Sequence, residues 1–228
     1  KHFLSSFIPL AATFGAVASG KTSFDGDSPV VKPPYLKAGD TVGICCPAGF
    51  ITIEDIQPAL LKLKEWGFTA RIGETISKKD FTFGGTDDER LNDLQQMLDD
   101  KSIKAILFAR GGYGGVRIID RLSFKKFDRD PKWIIGFSDA TVFHSHINVK
   151  YRVATIHSKM CNSFPNDWNT AEPVQKETIE SINKCLKGER MKYLFTPNEK
   201  NRTGIAVGEL VGGNLKTLES LAGSASDI

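Results

Sequence analysis

Cysteine is scarce in this chain and poorly spaced for chemistry. Cys45, Cys46, Cys161 and Cys185 are the four in 228 residues, and no two of them have CxxC or zinc-ligand spacing. That removes thioredoxin-type redox motifs and Cys-based zinc modules, and leaves no metal site to name. A disulfide framework is not expected in a domain of this size. Cys45 and Cys46 are adjacent in an apolar run, where thiols behave as small hydrophobes; a cysteine nucleophile at either is the bolder alternative. A dominant charge is also missing. Thirty Lys and Arg stand against 27 Asp and Glu, a net +3, and no basic block is interleaved with aromatics. Neither nucleic acid nor a membrane surface is therefore expected as a partner. In the glycine-rich stretch 110–115 the G-x-G-x-x-G order is absent and no Gly-Lys-Ser/Thr follows, which leaves a phosphate cradle there weakly supported.

The first twenty residues are of another character. Lys1 and His2 precede an apolar run that ends in Ala16-Val17-Ala18. A basic start, an apolar stretch and a small-residue site fit the tail of a secretory signal peptide cleaved after Ala18. The run is short for a membrane span, and no cysteine follows it for a lipid anchor. The expectation is export, to the periplasm, with no stable membrane anchor. If the run is instead a buried N-terminal helix, the protein is cytoplasmic. Residues 1–18 are then signal, 19–35 a polar, proline-bearing linker, 36–190 an α/β domain, and 191–228 a further linker opening a second, truncated C-terminal domain.

Within 36–190, short apolar runs alternate with helical patterns. Strands are expected at 41–46, 68–72, 105–109, 133–136 and 153–156. Helices are expected from about 56 to 66 with Asp55 as N-cap, from Thr86 to 98 with Glu89 completing a capping box, at 116–122, at 140–150 and at 171–187. This alternation implies βαβ units and a Rossmann-like parallel sheet covered by helices on both faces. Such folds build their sites in loops at the carboxyl ends of the strands. After 203 the pattern reads as a strand over 204–211, a Gly-Gly turn, and a helix over 214–221.

Residues 133–141, W-I-I-G-F-S-D-A-T, carry the sharpest chemical signal. A buried strand runs into Gly136, Ser138 follows two positions on, and a helix begins at once. That is the layout of a nucleophile elbow, in which a crowded turn lifts a serine to the N-terminus of a helix. Ala140 stands where the usual elbow has a second glycine. The plainer alternative is that Ser138 is a helix N-cap. Residues 110–115, R-G-G-Y-G-G, follow the third strand directly. They read as an oxyanion loop beside Ser138, a plain turn, or a phosphate cradle. A serine hydrolase needs a base. His144 and His146 lie further along the elbow's own helix and are expected to point away from its start. His157, at the end of the next strand, can reach the edge of the site. No complete Ser-His-acid set is visible.

Five ordered blocks now act together: L-K-A-G-D-T-V-G-I-C-C-P-A-G, F-A-R-G-G-Y-G-G, I-I-G-F-S-D-A-T, A-T-I-H-S-K-M and G-E-L-V-G-G-N-L-K-T-L. With them the chain resembles the LD-carboxypeptidase family of serine peptidases, which includes muramoyl-tetrapeptide carboxypeptidases and the microcin-C self-immunity peptidases. The resemblance implies that Ser138 is the nucleophile, that the amides of Asp139 and Gly112 form the oxyanion hole, and that the catalytic Glu and His belong to a C-terminal domain beyond Ile228. It implies removal of a terminal D-alanine from peptidoglycan stem peptides, with no cofactor. Arg110, Tyr113 and His157 are the expected substrate contacts, Arg110 pairing with a substrate carboxylate or with a structural acid. The Cys45-Cys46 pair, and His157-Ser158-Lys159-Met160 in place of a His-Gly-Pro-like run, depart from the usual family wording. Two alternatives are an aminoacyl-nucleotide peptidase and an exported module that binds muropeptides without cleaving them. A homodimer stays open, since the sequence is silent on oligomeric state.

Overall fold

The computed structural model describes residues 29–194 and 196–228. The expected signal peptide and most of the expected linker lie outside the described residues. Five strands form one sheet: β1 (Thr41–Cys45), β2 (Thr69–Ile72), β3 (Ile103–Phe108), β4 (Trp133–Gly136) and β5 (Ile156–His157). All neighbours are parallel, in the order β2-β1-β3-β4-β5. The order therefore reverses between β1 and β3, and the loops leaving these two strands flank a crevice where α/β folds place ligands.

The helices are α1 (Gln57–Glu65), α2 (Asp87–Asp99), α3 (Gly115–Ile118), α4 (Lys125–Arg129), α5 (Thr141–Tyr151), α6 (Pro173–Leu186) and α7 (Leu215–Leu221). Strand side chains alternate between the two faces. Val42, Ile44, Leu107, Trp133 and Ile135 pack with Leu63 of α1 and Ile179, Ile182 and Leu186 of α6. Cys45, Ile106, Phe108 and Ile134 pack with Leu94 and Met97 of α2, Phe127 of α4 and Phe143 and Ile147 of α5. Helices cover both faces, as the alternation predicts.

Thr86 makes the capping box: its hydroxyl accepts from the Glu89 amide, and the Glu89 carboxylate accepts from the Thr86 amide. Several local expectations are corrected. Asp55 does not cap α1; it accepts from the Thr52 amide (3.2 Å), and the helix starts two residues later with Pro58 in its first turn. The expected helix at 116–122 splits into α3 and a 3-10 turn, Ile119–Arg121. The fifth strand begins at Ile156, because Val153 pairs with Val31 instead (Val31 N to Arg152 O, 2.7 Å; Ala154 N to Val31 O, 2.8 Å). Residues 31–35 thus belong to the fold. The Trp133 indole donates to the Pro34 carbonyl (3.0 Å), and its ring stacks on Tyr35.

Residues 204–211 form no strand. α7, capped by Asn214, lies on α5: the Asn214 amide donates to the Thr141 hydroxyl (2.9 Å), and His146 Nδ1 shares a hydrogen bond with the buried Ser226 hydroxyl (2.9 Å). Among the described residues, then, this stretch has no separate core, and no helix is long and apolar enough to cross a membrane.

Candidate active site

All four residues of β4 are buried, and the strand stops at Gly136. Phe137 stays extended, Ser138 takes φ +59°, and a 3-10 turn over Ser138–Ala140 feeds α5. A left-handed serine is uncommon and costs on the order of 1–3 kcal/mol, so the surroundings must impose it. They do so through backbone. The Ala140 amide donates to Phe137 O (3.1 Å), and the Thr141 amide to the carbonyls of Ser138 and Asp139. The Gly136 carbonyl accepts twice, from the Ser158 amide (3.0 Å) and from His144 Nε2 (2.9 Å). A Cβ at Gly136 would stand 2.9 Å from that of Ala140. Small neighbours at both positions are what this turn requires.

His144 corrects the expectation that it points away. Helical side chains lean toward the N-terminus, so its ring folds back beneath the turn. A carbonyl only accepts, so Nε2 carries the proton; Nδ1 is buried with no hydrogen-bond partner. Burial pushes its pKa down to about 4, which keeps the ring neutral. His157 ends β5 opposite Gly136 and is exposed, with its ring 5.9 Å from that of His144. Among the described residues no histidine is hydrogen-bonded to Ser138.

The loop after β3 comes up against this turn. A Cβ on Gly111 would lie 3.1 Å from Ser138 Cβ and 3.3 Å from its Oγ. The loop after β1 joins from the other side: the Gly49 amide donates to Gly111 O (2.9 Å), and a Cβ on Gly49 would fall 2.5 Å from that oxygen. Gly112 follows with φ +114°, a conformation glycine adopts without steric cost. The residue touching Ser138 is therefore Gly111, with Gly112 one step further along the chain.

Two braces of this arrangement are absent from the sequence reading. The buried Asp139 carboxylate accepts from the Gly115 amide (2.7 Å), tying the elbow to the end of the glycine loop. Burial raises its pKa, with the loop amides and Arg90 opposing that shift. The Arg90 side chain is fully buried and donates to Pro47 O (2.5 Å), Gly85 O (3.3 Å) and Gly114 O (3.1 Å), while pairing with Asp87. One guanidinium thus binds the loops leaving β1 and β3 to the start of α2. The available signal was its position: Arg90 sits with Leu94, Met97 and Leu98 on the buried stripe of α2.

Beside the glycine loop opens a cleft of about 330 Å³, bordered by Gly49, Phe50, Lys79, Phe81, Thr82 and residues 110–113. Arg110 makes no ion pair among the described residues. Its Nη1 donates to the Phe50 carbonyl (2.9 Å), and the residue borders the cleft. Tyr113 is exposed at the rim, its ring 6.3 Å from that of Phe83. The cysteines are not nucleophiles in waiting. Cys45, Cys46 and Cys161 are buried and free, and burial raises all three thiols, Cys46 to about 12. Among the described residues no group of three His, Cys, Asp or Glu is placed to hold a metal ion.

Known proteins share this architecture. A Bacillus subtilis (strain 168) protein named "probable murein peptide carboxypeptidase" is 34% identical over 201 residues, covering 86% of this chain and 61% of its own length. The fold matches microcin C7 self-immunity protein MccF in complex with aspartyl sulfamoyl adenosine, with TM-score 0.71 and 24% identity over 86% of this chain and 67% of that one. It also matches muramoyltetrapeptide carboxypeptidase from Oxalobacter formigenes, with TM-score 0.67 and 23% identity over 82% and 61%. The chain thus spans about three fifths of the length of the Bacillus relative. Residues 42–158, which run from β1 through the elbow to the end of β5, match the LD-carboxypeptidase N-terminal domain, and the chain belongs to that family.

Proposed function

We propose that the full-length protein is a serine hydrolase that removes the terminal D-alanine from peptidoglycan stem tetrapeptides. The observation that carries this reading is Ser138 held at φ +59° in a strand-to-helix turn, directly against Gly111. Ser138 Oγ attacks the carbonyl preceding the D-residue. The amides of Asp139 and Gly112 stabilise the developing oxyanion, each lowering the barrier by roughly 3 kcal/mol. D-Alanine leaves with the proton taken from the hydroxyl, and water then hydrolyses the acyl-serine. The base is a histidine, oriented by a glutamate, from outside these 228 residues. The absence of any His–Ser138 hydrogen bond among the described residues supports that assignment. Arg110, Tyr113 and His157 line the substrate's path. The murein-peptide relative supports the substrate class.

A second reading, hydrolysis of an aminoacyl-nucleotide amide, is favoured by one feature. The exposed rings of Phe81 and Tyr113 stand beside two cations, a surface suited to a planar, anionic ligand.

The test uses protein translated from the complete coding sequence. Ser138→Ala should lower D-alanine release from muramyl tetrapeptide by about 10⁴-fold or more, with binding largely retained. Undiminished turnover would remove Ser138 from the mechanism.

A further inference from the structure

The loop between β2 and α2 contributes Lys79, Phe81 and Thr82 to the cleft, and Lys79 is its cation. Lys78 and Lys79 are adjacent but differently occupied. Lys78 Nζ pairs with Glu89 at 3.0 Å. Lys79 is exposed, has no acid within ion-pair distance among the described residues, and lies with Nζ 5.3 Å from the centre of the Phe50 ring. Arg110, across the cleft, is also without an acid and is fixed to the carbonyl of the same Phe50. Two cations are therefore held at one residue, and no carboxylate borders the cleft. A surface that holds like charges together without a counter-charge is complementary to an anion.

The loop is built rather than slack. The Ser77 amide donates to Ile51 O (3.0 Å), and the Ser77 hydroxyl accepts from the Ile53 amide (3.0 Å). Asp80 and Phe83 exchange both backbone bonds (3.1 and 2.8 Å), and the Phe50 amide donates to Thr82 O (2.9 Å). Phe81 is nevertheless held at φ +50°, and the residue is 86% exposed. A rigid loop that displays an aromatic ring to solvent beside unpaired cations, at the reversal in strand order, has the form of a binding surface.

We infer that Lys79 and Arg110 form an anion subsite that holds the substrate's charged group, with Phe81 and Tyr113 covering the adjoining part of the ligand. This rests on the hydrolase reading and extends it. The cleft abuts Gly111, whose other side meets Ser138, so the anchored anion lies next to the bond to be cut. The charge can come from the terminal carboxylate of a peptide or from the phosphate of a nucleotide. Both are recognised by charge-assisted hydrogen bonds from ammonium and guanidinium groups.

Calorimetric binding to the full-length Ser138→Ala protein, with and without Lys79→Gln, separates these sources. The probes are muramyl tetrapeptide, its C-terminal amide, and adenosine monophosphate. Lys79 is exposed and bonds to nothing structural, so the substitution leaves the fold intact; circular dichroism and melting temperature confirm this. If the carboxylate is the ligand, Lys79→Gln weakens the tetrapeptide about tenfold or more and leaves the amide unchanged. If a phosphate is the ligand, the nucleotide loses that affinity instead. In either case the loss shrinks as salt rises. Equal affinities for all three probes with and without Lys79, or no measurable binding of any of them, would overturn the subsite. Neither result depends on turnover, whereas undiminished turnover in Ser138→Ala would overturn the hydrolase reading and leave the subsite standing.

Discussion

Residues 133–136 and 205–211 carry similar apolar side chains in opposite surroundings. Trp133, Ile134 and Ile135 are 1–5% exposed, between β3 and β5. Ile205, Val207 and Leu210 are 97–99% exposed and join no sheet. The contrast shows how little of a strand resides in its own residues. β-Propensity measures the fit to a neighbouring surface. Each ordered residue costs about 1–2 kcal/mol of backbone entropy, which a buried Ile or Val offsets and an exposed one does not. β4 has a strand on each side and helices on both faces. Among the described residues, the polar contact of 205–211 with α5 and its C-cap is made by Glu209, which accepts from Asn148 (2.5 Å) and pairs with Arg152 (2.8 Å). Polar contacts made by one side chain do not order a strand.

The largest effect expected of a single substitution comes from breaking the supported side of this comparison at its brace. Arg90→Met removes the donor shared by Pro47, Gly85 and Gly114, leaving the Pro47 and Gly85 carbonyls without it while Gly114 O keeps the Arg117 amide (3.1 Å). Breaking a buried charged network of this kind costs about 3–5 kcal/mol. Arg117→Met is the control, since Arg117 pairs with the same Asp87 from an exposed position; its cost should stay below about 1 kcal/mol. Urea unfolding of the two variants gives both numbers. Equal destabilisation would mean that Asp87, rather than the loop carbonyls, is the partner that matters.

The next effect is pH-dependent and reports on the turn beneath Ser138. His144 titrates near 4 in the fold, against about 6.5 in an unfolded chain. The unfolded chain therefore takes up its proton first as pH falls. The stability tied to neutral His144 is fully present above about 6.5 and is lost as pH drops toward 4, by about 3 kcal/mol across the window. His144→Gln keeps an N–H donor for Gly136 O and cannot titrate, so most of that slope should disappear from melts between pH 7 and 4. His146, also lowered by burial, leaves a smaller residual slope. An unchanged slope in His144→Gln would show that other groups govern acid unfolding.

The parts legible in the sequence are those whose cause is local. The Thr86–Glu89 capping box depends on residues three apart. The elbow depends on an apolar run, Gly136, Ser138 and Ala140 in fixed order. The alternation of apolar runs and helical stripes gives the parallel sheet covered on both faces. What escaped the reading depends on backbone partners far away in sequence. Asp139 serves the Gly115 amide, Arg90 serves three carbonyls, and His144 serves Gly136 O; a carbonyl or an amide exists at every residue and marks none of them. The Val31–Val153 pair was hidden for the same reason, a single bridge having no periodicity to read. The 204–211 stretch failed in the opposite sense, its pattern being strand-like with no strand beside it among the described residues.

The smallest expected effect completes the comparison from the unsupported side. Ile205→Ser combined with Val207→Ser should change the stability of residues 1–228 by less than about 0.5 kcal/mol, because both side chains are already in water and no contact is lost. The same exchange inside β4, Ile134→Ser with Ile135→Ser, removes two buried side chains and places hydroxyls in an apolar layer. At about 2–4 kcal/mol for each site, that double variant should not fold. Chemical denaturation of the 205/207 variant, read by tryptophan fluorescence, with Trp66 and Trp133 both buried, gives the measurement directly. A loss above 1 kcal/mol would mean that Ile205 and Val207 are covered in solution and that the stretch is ordered by more than Glu209. The same pair of substitutions in a longer chain then reports, by its cost, whether those side chains are buried there.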